Sequence, residues 1–106
     1  MYQFKRGDTF NMSGQVSVTD NGIAVPDLTG WTGSCQVRDL EGQLIDSLEF
    51  TWLDASTRLC KLYKLSTATW PVGIAEIDIE LTNSSGEIVS TDTVQIAIVK
   101  DITRSV

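Results

Sequence analysis

Glu76, Asp78 and Glu80 stand at every second position of one short run, the only ordered row of carboxylates in the chain. Paired carboxylates can hydrolyse a glycosidic bond, and clustered ones can hold calcium. Alternate spacing, however, puts all three on one face of a strand whose other face is Ala75, Ile77, Ile79 and Leu81, so the row reads as a solvated face. The chain has no histidine, which removes the usual base for a Ser or Cys nucleophile and the commonest general acid. Its two cysteines, Cys35 and Cys60, cannot supply the roughly four ligands that structural zinc takes. Cys35 alternates with Trp31 and Val37, which makes it a buried free thiol, and the two cysteines are expected to be unpaired. "DLTG" at Asp27 to Gly30 lacks the aspartyl-protease spacing. No catalytic, cofactor-binding or metal-ligating residue is assigned, and the chain is expected not to be an enzyme.

Two further motifs invite a functional reading. Arg6-Gly7-Asp8 is the tripeptide that adhesion ligands present to receptors, and Asn11-Met12-Ser13 and Asn83-Ser84-Ser85 have the form of glycosylation sequons. The tripeptide stands where the chain must turn into its first long strand, so glycine there answers a backbone need and Asp8 a turn-capping one. Glycans require a secretory route, and Met1 to Phe10 is too polar and charged for a signal peptide. The chain is therefore expected in the cytoplasm of its producing cell, or in something assembled there, and the sequons read as chance.

Charge and hydropathy narrow the partner classes. A formal net charge of -6 over 106 residues opposes sequence-independent nucleic-acid binding, which depends on Lys and Arg neutralising phosphates. Only "RLCKLYK", Arg58 to Lys64, gathers three basic residues, and the apolar residues among them make it one strand rather than a phosphate track. No apolar run reaches the ~18 residues of a membrane span. The length suits one compact domain over residues 1–106.

The elements that carry these residues alternate with period two almost throughout. "GIAEIDIEL", "FNMSGQVSV" with Phe10, Met12, Val16 and Val18 on one face, "WTGSCQV", and "LIDSLEFTWL" aligning Leu48, Phe50 and Trp52 all read as strands. So does "LCKLYKL", and "TDTVQIAIV" turns Val94, Ile96 and Ile98 inward. Turn chemistry separates them: Asp20-Asn21-Gly22, Pro26-Asp27, "DLEG", "DAST" and "NSSG". The fold class that follows is all-β, an immunoglobulin-like antiparallel sandwich of about seven strands. One short helical turn is expected near Ser66 to Trp70, capped by Ser66 or Thr67 and ended by Pro71. The aromatic-proline step makes Trp70-Pro71 the candidate for a cis bond.

Taken as a set, "FKRGDTF", "PDLTGW", "SCQVRDLEGQLI" and "LSTATWPVGIAEIDIELTNSSGEIVSTDTVQIAIVKDIT" resemble the small immunoglobulin-like proteins of tailed-phage and prophage tail and virion gene modules. They are also similar to the N-terminal domain of phage baseplate upper proteins. The resemblance spans almost the whole chain and rests on structural motifs, so it brings no active-site residues. It implies a non-enzymatic tail- or baseplate-associated component, in the virion or in the host cytoplasm during assembly. Its partners would be other phage structural proteins or further copies of itself, with no cofactor, nucleic acid or membrane. Two alternatives stand beside it: a carbohydrate- or host-surface-binding module using Trp31, Trp52 and Trp70 for stacking, and a tail-fibre assembly factor.

The last strand suggests where such a module would dock. Ala97 and Val99 fall on its outer face, where a solvated strand carries charges, and none of the Lys, Pro or bulge guards of a free edge occurs within residues 93–99. Ala97 and Val99 are the candidate interface: edge pairing is the expected mode, with this strand or its outer face covered by another copy or by a virion partner.

Overall fold

The computed structural model describes residues 1–102. Ten strands appear in chain order: β1 Tyr2–Lys5, β2 Phe10–Gln15, β3 Thr19–Asp20, β4 Ile23–Ala24, β5 Thr32–Asp39, β6 Leu44–Asp54, β7 Leu59–Lys64, β8 Gly73–Thr82, β9 Ile88–Ser90 and β10 Val94–Val99. The main path runs β1-β10-β8-β5-β6-β7-β2, with β9 pairing to β8 and β3-β4 forming a separate hairpin.

This path folds over into two layers because β6 serves both. Its first half pairs with β5 (Cys35 opposite Leu48) and its second half with β7 (Phe50 opposite Leu62), with register shifts between Val37 and Arg38 and between Trp52 and Asp54. Bulges bend and twist a strand, which is how one strand turns the corner between stacked sheets. The layers are then β1-β10-β8-β5-β6 facing β6-β7-β2, a β-sandwich. The fold class is all-β, as the alternation requires. One pairing departs from an antiparallel layout: β1 runs parallel to β10, with Phe4 opposite Ile98.

Burial follows the period-two pattern closely. Ala75, Ile77, Ile79 and Leu81 are all in the core, together with Phe10, Val16, Val18, Cys35, Val37, Leu48, Leu62, Ile96 and Ile98. Phe4, Phe10 and Trp70 form an aromatic triad with centroids 5.1 to 5.7 Å apart, a plug of large apolar surface at one end of the sandwich. β2 stops at Gln15, three residues short of the run read from the sequence, yet Val16 and Val18 stay buried.

Three local expectations are corrected. Residues 66–70 form no helical turn; Trp70 N–H bonds the Thr67 carbonyl at 3.0 Å in an isolated turn. The short helical turn lies instead at Ala55–Thr57, where the Asp54 side chain accepts from Ser56 N–H as an N-cap, because "DAST" offers a free carboxylate while the Thr67 hydroxyl is engaged elsewhere. No peptide bond among the described residues is cis, so Trp70-Pro71 is trans. Val94 is 52% exposed rather than inward, since β1 covers β10 only from Ile96 to Val99.

Candidate binding cleft

Each residue singled out by its chemistry has a defined place. Gly7 of the Arg-Gly-Asp tripeptide takes φ +98°, a conformation that L side chains avoid. Its N–H donates to Thr67 Oγ1 at 2.9 Å, and the Thr67 hydroxyl donates to the Asp8 carbonyl at 2.6 Å. Asp8 N–H bonds the Lys5 carbonyl at 3.2 Å and Arg6 N–H the Val99 carbonyl at 2.9 Å. The tripeptide is therefore a backbone corner between β1 and β2, and Asp8 serves it through main-chain groups. Thr67 is completely buried, and its role escaped the sequence reading because its partners lie about sixty positions away.

Cys35 and Cys60 are both free and buried. Burial pushes the Cys35 thiol up to about 12, with the Asp78 charge and Cys60 adding to it, and burial likewise raises Cys60. Neither thiol has the low-pKa surroundings of a nucleophile. In the acidic row, Asp78 and Glu80 are exposed and Glu76 is half-buried. Among the described residues no group of three or more Cys, Asp or Glu side chains converges as a metal site would require.

The tryptophans divide. Trp70 is 1% exposed, and its indole N–H donates to Asp46 Oδ2 at 2.9 Å. Burial raises the Asp46 carboxyl, but hydrogen bonds from Trp70, Ser47 and Lys64 outweigh it and hold the group below the usual carboxylate range. Lys64 Nζ lies 3.3 Å from Asp46 Oδ1. Trp31 and Trp52 are half-buried, the Trp52 indole donating to the Trp31 carbonyl at 2.8 Å and its ring meeting Phe50 edge-on at 4.9 Å. The basic trio of "RLCKLYK" is likewise absorbed: Arg58 donates to the Val16 carbonyl at 3.3 Å, Lys61 sits 5.1 Å from the Tyr63 ring centroid, and Lys64 pairs with Asp46.

Ala97 and Val99 are half-buried on the outer face of β10. The edge-pairing expectation fails for this strand, because β1 occupies one edge and β8 the other. The path ends in two edge strands: β1, only four residues long, and across the sandwich β2, the longer of the two. Val16 N–H bonds the Arg58 carbonyl at 2.9 Å, so the alternation of an antiparallel ladder turns Phe10, Met12 and Gly14 backbone groups toward β7. Those of Asn11, Ser13, Gln15 and Ser17 turn away from it.

Beside this edge a cleft of about 610 Å³ opens between the two sheets. Residues 12–19 form one wall, Cys60 and Leu62 of β7 its floor, and residues 77–79, 89–92 and Val94 the other wall. The volume lies in the range of small-ligand clefts, ~300–1,000 Å³. Its existence follows from strand lengths: β1 is four residues long, so the aromatic triad plugs one end of the seam and the other end is left without a covering strand. Among the described residues Asp78 and Asp92 are the only charged ones at its lining, and residues 9–19 contain no charge at all. Each of these residues was legible in the sequence as polar or apolar, but their convergence depends on which strand ends up at the edge.

Among solved structures the chain is similar to CopC from Methylosinus trichosporium OB3b, with a TM-score of 0.52 at 13% identity, over 98% of this chain and 88% of that one. No family model matches the sequence, and no curated protein matches it. The likeness to CopC is one of fold alone, a β-sandwich that encompasses nearly the entire chain.

Proposed function

We propose that this chain is a non-enzymatic structural or interaction module of a tailed phage or prophage, associated with the tail or baseplate. The observation that carries the reading is the open seam, an apolar cleft alongside a strand edge with unpaired backbone groups. Such a surface suits protein–protein docking through main-chain pairing. The motif resemblance that spans the sequence supports the phage context. Its partners are other structural proteins of the particle, and its place is the virion or, during assembly, the host cytoplasm. Sugar binding loses ground, because Trp70 is buried and the Trp52 indole N–H is engaged within the molecule.

Quantitative mass spectrometry of purified particles tests this reading. The chain is expected at a fixed copy number relative to the tail proteins. Presence in the lysate with absence from particles would instead favour the assembly-factor role, and absence of any phage association would overturn the proposal.

A further inference from the structure

The seam has the form of a sandwich that lacks one strand. Its free edge is seven residues long, 11–17, and ends where Val18 carbonyl accepts from Val25 N–H at 2.8 Å. At about 3.3 Å per residue, one extended segment covers that length. Beneath it the cleft is walled by buried aliphatic groups, Val16, Leu62, Ile77 and Ile79, with Val94 52% exposed at its mouth. A strand edge that stays monomeric is usually guarded by charge, proline or a bulge, and residues 9–19 contain neither charge nor proline.

We propose that the seam receives one β-strand from a different polypeptide, an extended segment with aliphatic side chains at alternate positions and with Lys or Arg rather than Asp or Glu near its ends. Main-chain pairing to Asn11, Ser13, Gln15 and Ser17 supplies affinity, and the alternate aliphatic side chains fill the cleft, which sets specificity. Charge selects the occupant: among the described residues Asp92 lines the cleft, Asp78 stands on the outer face of the same wall, and the whole chain has net charge -6, so a basic segment is drawn in and an acidic one repelled. The same charges disfavour a second copy. A second β2 pairing edge to edge would satisfy the backbone groups but would leave the cleft unfilled. The long aliphatic strands of this chain, β8 and β10, are already committed to their own core.

This inference rests on reading the chain as an interaction module and names the kind of partner it takes. The test uses the full chain with a synthetic peptide, KVTVTVTVK, both free and fused to the N-terminus through a flexible Gly-Ser linker, which raises its effective concentration to about the millimolar range. Amide hydrogen exchange at Asn11, Ser13 and Gln15 is expected to slow at least tenfold. Replacing the valines by serine (KSTSTSTSK) should abolish the effect, and glutamate ends (EVTVTVTVE) should weaken it several-fold. Asp92→Lys should reverse the preference between lysine and glutamate ends. An unchanged exchange rate in the fusion overturns the proposal. So does slow exchange in the chain alone that is lost on dilution together with a sedimenting dimer, which would assign the edge to a second copy. Protection by the peptide with no phage association of the chain, in particles or in lysate, would leave strand reception standing and sink the phage role. Presence in particles without protection would do the opposite.

Discussion

Thr67 shows how much one hydroxyl can hold. It is completely buried and bridges the Gly7 N–H and the Asp8 carbonyl, so Thr67→Val keeps the shape and removes both hydrogen bonds of a part-buried corner. The expected cost is about 1 kcal/mol, while Thr67→Ser, which keeps the hydroxyl, should lose less; urea denaturation of both variants checks this. Cys35 gives a test at alkaline pH. Its thiol is raised from 9.0 to about 12 in the folded chain, so stability is fully present below pH 9 and declines as pH rises from there toward 12, where only the unfolded state has ionised. Cys35→Ala should flatten that decline, and neither thiol should react with a thiol reagent until the chain unfolds. Asp46 works with the opposite sign. Its folded-state value lies below the ordinary 3.8, so its contribution is present above that pH and lost as pH falls through the lower folded value. Asp46→Asn should make the acid limb of a stability–pH curve shallower.

Two hairpins of the same design frame the larger sheet. In one, Asp39 Oδ1 accepts from Glu41 and Gln43 N–H, each at 2.9 Å; in the other, Asn83 Oδ1 accepts from Ser85 and Glu87 N–H at 2.9 and 3.0 Å. Gly42 and Gly86 complete them with φ +83° and +84°, the left-handed residue of a type I turn followed by a bulge. β5 pairs with β8 from Asp39 opposite Ala75 to Thr32 opposite Thr82, which places the two hairpins at opposite ends of the sheet. Asp39→Ala and Asn83→Ala should each cost about 1 kcal/mol, and the double variant their sum, since the sites share no partner. Denaturant titration of the three variants measures this.

At the scale of the molecule, β1 decides whether β10 is an inner strand or an edge. By pairing parallel to β10 and inserting Phe4 into the aromatic triad, it covers that strand and replaces its edge with a shorter one of four residues, the kind of short edge that resists pairing. Removing residues 1–5 should cost several kcal/mol, as truncation of a buried Phe does (~3–5). It should also produce association that rises with protein concentration, because the β10 edge becomes free; sedimentation velocity reads both species. With that edge occupied, Ala97→Lys plus Val99→Lys should leave particle incorporation intact, whereas Asp92→Lys at the seam should reduce it. Loss of incorporation in the first variant would return the docking surface to the outer face of β10.

The sequence by itself determined the class of the molecule and the inward face of nearly every strand, because side chains alternate strictly across a pleat and burial must match that alternation. It also located the turns, whose Asp, Asn and Gly residues act within four positions of themselves. Tertiary structure alone decided that β1 lies beside β10, that β6 divides between two layers, that Thr67 holds a corner nearly sixty residues away, and that β2 is an open edge above a cleft. The reason is physical. Strands recognise one another through backbone N–H and C=O groups that are the same in every residue but proline, so pairing leaves little trace in side-chain identity. A cleft is likewise the place where no strand arrived, and only the assembled sheets can show it.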